Sequence, residues 1–244
     1  MERRIELEGI TNFRDLGGYE AAGGARVKWR TAFRSDTLAG LTKRDVETVA
    51  GLGIVTSCDL RYAEERAVEP SRLLDRDGIE VLALGLDARP GPSFLDSYAF
   101  ADDPAEAAYD YLIGNYRHYP FLYAGAYRTI FQRLAAGERL VMHCTAGKDR
   151  AGTAAAMLLT ALGVARETVF EDYLLTNACW DRGGREPPGL SPEAVAAIFS
   201  ARREYLEAAF GAVEARCGDV ETYFTEYLGF GPEAREALRA ACLA

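Results

Sequence analysis

One stretch constrains the fold more than any other. Residues 140–162 run Leu-Val-Met-His, then Cys-Thr-Ala-Gly-Lys-Asp-Arg, then Ala-Gly-Thr-Ala-Ala-Ala-Met-Leu-Leu-Thr-Ala-Leu. A strand at Leu140–His143 feeds a tight loop, and a helix over Ala151–Leu162 leaves it, with Gly163 as its C′ residue. Strands that alternate with helices in this way predict an α/β fold around a central, mostly parallel sheet flanked by helices.

The rest of the chain fits that scheme. Ile5–Leu7 and Arg30–Phe33 read as short strands around a glycine-rich turn at 17–24. Thr42 is placed to cap a helix that ends near Gly51. Ile54–Leu60 and Ile79–Leu86 read as strands, and residues 61–69 as a short charged helix stopped by Pro70. Residues 90–92 mark a loop, and 105–136 a helical stretch expected to break near Pro120. Glu167–Thr176 is a further helix, and 181–190 reads as a linker. Ser191-Pro192-Glu193 opens a helix expected to run to about Arg216, with Asp219–Leu228 and Pro232–Leu243 after it. The C-terminal third is therefore helical. A single domain over 1–244 is expected from 244 residues, about half of them apolar.

The loop carries the chemistry. Cys144 is followed by five residues and then Arg150. A free thiol titrates near ~8.5, and helix N-termini or nearby cations bring it to about 3.5–7.5. The backbone N–H groups of Thr145, Ala146, Gly147, Lys148 and Asp149 can turn inward to form an anion cradle, with the positive end of the following helix behind them. Gly147 permits the left-handed turn such a cradle needs. Arg150 can grip two phosphoryl oxygens at once with its planar guanidinium, most strongly in the transition state. Thiolate attack on phosphorus is the chemistry this pattern suits.

His143-Cys144-Thr145-Ala146-Gly147-Lys148-Asp149-Arg150 resembles the signature loop of cysteine-dependent tyrosine phosphatases. Its Gly-Lys-Asp-Arg ending is similar to that of the atypical bacterial tyrosine/lipid phosphatases. Asn12 to Tyr19, Phe33-Arg34-Ser35-Asp36, Asp59-Leu60-Arg61 with Glu64, and Asp172 to Asn177 fit the same family, so the resemblance spans residues 12 to 177. It implies hydrolysis of phosphotyrosine through a phosphocysteine on Cys144, with phosphoserine/threonine and phosphoinositides as further substrates. It implies no cofactor and no metal. It gives Asp149 the general-acid role, with Asp87 in the loop after Ile79–Leu86 as the alternative. It makes Lys148 a second cation beside the phosphate, suited to substrates with several phosphates. It also implies a helical lid, carried onto part of 178–216. The family usually has Ser or Thr after the arginine, where its hydroxyl helps the sulfur leave. This chain has Ala151 there, which predicts slow hydrolysis of the phosphoenzyme.

Several side chains have plainer expectations. His143 is expected to face away from the nucleophile and steady the loop, and His118 to be structural. Asp59, Arg61 and Glu64 are expected as a salt-bridge network under the site, with Arg61 reaching substrate as the alternative. Asn12, Arg14 and Asp15 are expected to brace the loop, and Arg202 and Arg203 to form a solvated helix face. Cys58 is expected as a small buried residue, with a reversible disulfide to Cys144 as the alternative.

Composition narrows the partners. A formal charge of −9 argues against nucleic-acid binding. No apolar run is long enough to span a bilayer, so no stable membrane insertion is expected. Five widely spaced cysteines make no disulfide framework. With no apolar leader after Met1, a cytoplasmic location is expected, export without a recognisable signal being the alternative. Nothing in the sequence bears on oligomeric state. Two rival functions remain: a phosphate-binding pseudophosphatase with slow turnover, favoured by Ala151, and sulfur transfer, disfavoured by the spacing to Arg150. An ATP-binding loop is excluded because Asp149, not Ser or Thr, follows Gly147-Lys148.

Overall fold

The computed structural model describes residues 2–91, 93, 101–184 and 189–244. Its sheet holds β1 (Arg14–Asp15), β2 (Ala32–Ser35), β3 (Thr56–Asp59), β4 (Glu80–Ala83) and β5 (Leu140–His143) in the order β1-β2-β5-β3-β4. β1 runs antiparallel to β2, and every other pairing is parallel. The α/β fold with a mostly parallel sheet is thus as expected. β5 is central and wholly buried. Its side chains alternate: Leu140 and Met142 enter one apolar core, and Val141 enters the other with Phe33. Ser35 and Asp59 both pair with His143, so β2, β3 and β5 end at one level. The segments after these strands therefore meet at one carboxyl edge, where parallel sheets place their sites.

Helices cover both faces. α1 (Lys43–Gly51) starts at Thr42, whose hydroxyl accepts from the Asp45 amide while Asp45 accepts from the Thr42 amide. α2 (Ala63–Val68) follows β3. α3 (Pro104–Leu122), α4 (Ala124–Ala135), α5 (Arg150–Ala161), α6 (Arg166–Leu174) and α7 (Thr176–Cys179) come next. α8 (Pro192–Phe199), α9 (Arg203–Cys217) and α10 (Pro232–Cys242) make the C-terminal part helical. α5 is buried nearly all round, and each of its large side chains such as Met157 and Leu159 contributes about 1.5–3 kcal/mol by leaving water.

Four expectations needed correction. Ile5–Leu7 is not a strand. It runs beside β1 with one isolated bridge, Arg4 to Arg14. The strand expected to reach Leu86 stops at Ala83 because the amides of Leu84 and Gly85 both turn onto the Asp59 carbonyl. A Cβ on Gly85 would lie 1.8 Å from the Arg61 carbonyl oxygen, so the crossing needs glycine.

Pro120 does not break its helix. It is buried inside α3, and its carbonyl accepts from the Tyr223 hydroxyl at 2.6 Å; the break falls at Tyr123. The helix expected over 191–216 is two helices. At the break, the Lys148 ammonium takes the carbonyls of Ile198 and Ser200, and Asn177 pairs with both the amide and the carbonyl of Ala201. These tertiary bonds replace the helical ones the segment gives up. Of the 181–190 linker and the 90–92 loop, residues 185–188 and 92 lie outside the described residues.

Candidate active site

The loop 144–149 is shaped by what holds its carbonyls. Thr145 O accepts from the Thr37 amide at 3.0 Å, Ala146 O from Asn12 Nδ2 at 2.8 Å, and Gly147 O from Arg34 Nη2 at 2.6 Å. In a trans peptide the next N–H points opposite to the carbonyl. Tying three successive oxygens outward therefore turns the amides of Ala146, Gly147 and Lys148 inward, as a concave donor site. Gly147 has φ +69°, and a Cβ there would meet Ser35 O at 2.5 Å. Only glycine satisfies both demands.

A second ring of charge holds the tethers. Asp172 on α6 is buried and receives Arg34 at 2.7 Å and the Tyr19 hydroxyl at 2.9 Å. Arg14 reaches Asn12 Oδ1, the Asp172 carbonyl and Thr176 Oγ1. Asp36 accepts the amides of Thr11 and Asn12. The matched stretches at 12–19, 33–36 and 172–177 thus converge behind one loop. Asn12 and Arg14 brace as expected, whereas Asp15 accepts from Gly17 and Arg30 farther away.

Cys144 opens the loop, 1% exposed, and Arg150 closes it as the first residue of α5. The Arg150 guanidinium forms a two-pronged pair with Glu65, at 2.5 and 2.9 Å, and its Nη2 also donates to Thr145 Oγ1 at 3.1 Å. The Tyr62 ring lies 4.7 Å from its Cζ. Burial works against charge on Glu65, yet bonds from Arg150, Thr145 and the Tyr62 amide hold its carboxyl down at about 2. Glu65 is the residue that sequence reasoning missed. Its neighbour Glu64, expected in the network under the site, turns outward to Arg89 at 3.5 Å. Three residues after Tyr62, Glu65 folds back to accept the Tyr62 amide at 2.7 Å. That capping spacing was the available signal.

Asp149 and Lys148 face the helical side. Asp149 Oδ1 accepts from the Tyr116 hydroxyl at 2.8 Å and lies 3.3 Å from Lys148 Nζ. The ammonium, 1% exposed, donates to the carbonyls of Ile198 and Ser200 at the C-terminal end of α8. A cation suits that end of a helix. Burial pushes the Lys148 pKa down, and the neighbouring Asp149 charge pushes back.

The remaining expected residues sort clearly. Arg61 is buried and committed: it grips Asp59 through Nε and Nη2 and donates through Nη1 to Thr37 Oγ1 and the Glu69 carbonyl. Asp87 is exposed in the segment after β4. His143 is buried with Nε2 3.7 Å from Asp59, and burial brings its pKa down to about 4, so the ring is neutral near pH 7. His118 is exposed on α3. Arg202 is half-buried and lies just outside α9, at its N-cap position, while Arg203 pairs with Glu167 and Glu207 at the surface.

Ala151 is fully buried, and Thr153 Oγ1 donates to the Asp149 carbonyl at 2.8 Å, so it does not stand in for the absent hydroxyl. Cys58 pairs in register with Met142, two residues short of Cys144, and burial pushes its thiol up to about 12. Both observations favour a packing role. Among the described residues no group of three or more His, Cys, Asp or Glu is arranged to hold a metal ion.

Comparison with known proteins follows the same lines. A model described as the tyrosine phosphatase family matches residues 5–244. A Cupriavidus necator protein that bears the provisional name tyrosine-protein phosphatase is 31% identical over 92% of this chain and 84% of its own. The triple specificity protein phosphatase PtpB of Mycobacterium tuberculosis is 29% identical over 91% of this chain and 92% of its own. The crystal structure of P. aeruginosa TpbA covers 78% of this chain and 90% of that one at 19% identity, with a TM-score of 0.32.

Proposed function

The chain belongs to the tyrosine phosphatase family, and we propose that Cys144 is its nucleophile, Arg150 its phosphate clamp and Asp149 its general acid. The Cys144 sulfur attacks phosphorus, and the bond to the leaving oxygen breaks as Asp149 gives that oxygen a proton. Water then attacks the phosphocysteine and yields its proton to Asp149, releasing phosphate and the thiolate. The inward amides of Ala146, Gly147 and Lys148 and the α5 N-terminus stabilise the phosphoryl oxygens in both steps. Glu65, Thr145 Oγ1 and the Leu60 carbonyl take the four Nη N–H groups of Arg150 and hold its plane, so Nε meets the phosphate directly and an Nη group does so by exchanging one of these partners for a phosphoryl oxygen.

The outward tethering of three loop carbonyls is the observation that carries this proposal. Asp149 is preferred to Asp87 because it belongs to the loop itself and is held there by Tyr116, while Asp87 is exposed. Arg61 is proposed to position Thr37, whose amide holds the loop, rather than to touch substrate.

Phosphotyrosine is the proposed principal substrate. Hydrolysis of phosphoserine and phosphothreonine is proposed by likeness to the triple specificity protein phosphatase, and of phosphoinositides from the second cation, Lys148, beside the phosphate site. Lys148 meets a second phosphate only by exchanging the carbonyls of Ile198 and Ser200 for phosphoryl oxygens. Residues 1–244 act as one domain, with the helical segment inside 178–216 as its lid. Five free cysteines suit a reducing, cytoplasmic setting. No helix among the described residues is long and apolar enough to cross a membrane. The acidic net charge disfavours nucleic acid as a partner.

The test is hydrolysis of p-nitrophenyl phosphate and of a phosphotyrosine peptide. Cys144→Ser is expected to abolish both, and Asp149→Asn to reduce the peptide reaction far more than Asp87→Asn does. Loss confined to Asp87→Asn would move the acid to Asp87. A Cys144→Ser protein that bound phosphopeptide no worse, beside a wild type that never turned over, would favour the pseudophosphatase.

A further inference from the structure

The proposed acid has a partner that the signature loop does not contain. Tyr116 lies in the middle of α3, fully buried, and its hydroxyl meets Asp149 Oδ1 at 2.8 Å. The same hydroxyl lies 2.6 Å from the hydroxyl of Tyr173 on α6. A phenol has one proton to give. An ionised carboxylate can only accept, so Tyr116 donates to Asp149 and Tyr173 in turn donates to Tyr116. Lys148 Nζ approaches the same Oδ1 at 3.3 Å.

Given an acid role for Asp149, we propose that Tyr116 is its positioning residue, anchoring Oδ1 so that Oδ2 carries the proton that passes to the leaving group. Two donors saturate Oδ1 whichever way the carboxyl is charged, and the proton is driven to the other oxygen. The carboxyl plane is thereby fixed relative to Cys144 and Arg150. Helix α3, remote in sequence from the loop, becomes part of the acid's setting.

The groups that face this carboxylate are few. Tyr116 and Tyr119 come from α3, Tyr173 from α6, Tyr205 from α9, and Lys148 from the loop itself, with Arg202, the residue before α9, acting on Lys148. Burial keeps Tyr116 protonated well above its ordinary range, so it remains a donor at every working pH.

The experiment compares Tyr116→Phe with wild type on p-nitrophenyl phosphate, whose leaving group needs little protonation, and on phenyl phosphate, whose leaving group needs it. The expected loss in kcat/KM is about tenfold greater for phenyl phosphate. Equal losses on both substrates, in a protein of wild-type unfolding temperature, overturn the proposal. Asp149→Asn runs alongside. If it treats the two substrates alike, the acid assignment itself falls and the role of Tyr116 falls with it. If only Tyr116→Phe treats them alike, Asp149 keeps its role and Tyr116 loses its own. Should Tyr116→Phe fail to fold, Tyr173→Phe removes the donor behind Tyr116. A smaller excess loss on phenyl phosphate supports the proposal, and equal losses on the two substrates overturn it.

Discussion

At the scale of single residues, each cation of the loop already has a carboxylate. Arg150 is held by Glu65 and Lys148 lies beside Asp149, so in the proposed mechanism the backbone amides and the end of α5 supply charge that no carboxylate offsets, and Arg150 adds directed hydrogen bonds. Ala151 is the residue with the sharpest kinetic consequence. With no hydroxyl there and Thr153 spent on the Asp149 carbonyl, nothing from the first turn of α5 helps the sulfur depart. Wild type is expected to show a burst of p-nitrophenol followed by slower turnover. Ala151→Ser should speed that turnover about tenfold, as a hydrogen bond to a charged atom would. Rapid-mixing absorbance checks this; a linear time course in wild type would contradict it. The family and the placement of Cys144 and Arg150 at the two ends of one loop were legible because a strand, a loop and a helix lie consecutively in the chain. Glu65 was not, because adjacent helix positions point about 100° apart and only the cap at Tyr62 decides which glutamate faces Arg150.

At the scale of elements, the loop is fixed from behind by segments far from it in sequence. Asp172 on α6 joins Arg34 on β2 to Arg14 on β1, and Arg34 in turn holds Gly147 O. Removing one partner of a buried ion pair leaves the other uncompensated, at a cost of about 3–5 kcal/mol. Asp172→Ala is therefore expected to lower stability by about that amount in a denaturant titration, and to weaken phosphate binding as the loop carbonyls come loose. A stability change below about 1 kcal/mol would contradict the account. The helix break at 200–202 belongs to this scale too. Local pattern predicts one helix from Ser191 to about Arg216, since nothing in that segment opposes it. The partners that divide it, Lys148 and Asn177, are invisible to any local window.

At the scale of the whole molecule, the buried titratable groups set the response to pH. His143 has its pKa lowered by burial to about 4 from an ordinary value of 6.5. The unfolded chain takes up that proton as pH falls below 6.5 while the folded one does not, so this stabilisation is present above 6.5 and lost on the way down to about 4. Glu65, held at about 2, adds a further loss between its ordinary 4.5 and 2. Unfolding temperature is expected to fall steadily as pH drops from 6.5, and His143→Gln to flatten the upper part of that fall. A wild-type curve level between pH 6.5 and 4 would contradict it. The sheet order was legible only as far as alternating strands and helices imply parallel pairing. That β5 lies between β2 and β3 follows from pairings far apart in sequence, Ala32 with Leu140 and Thr56 with Leu140. The arrangement brings Asn12, Arg34, Thr37, Glu65 and Tyr116, from separate parts of the chain, onto the one loop that Cys144 opens. The most direct test is the intact mass of the protein after acid quench during turnover of an aryl phosphate. One phosphoryl group on Cys144 is predicted; an unmodified Cys144 together with turnover that survives Cys144→Ser would contradict it.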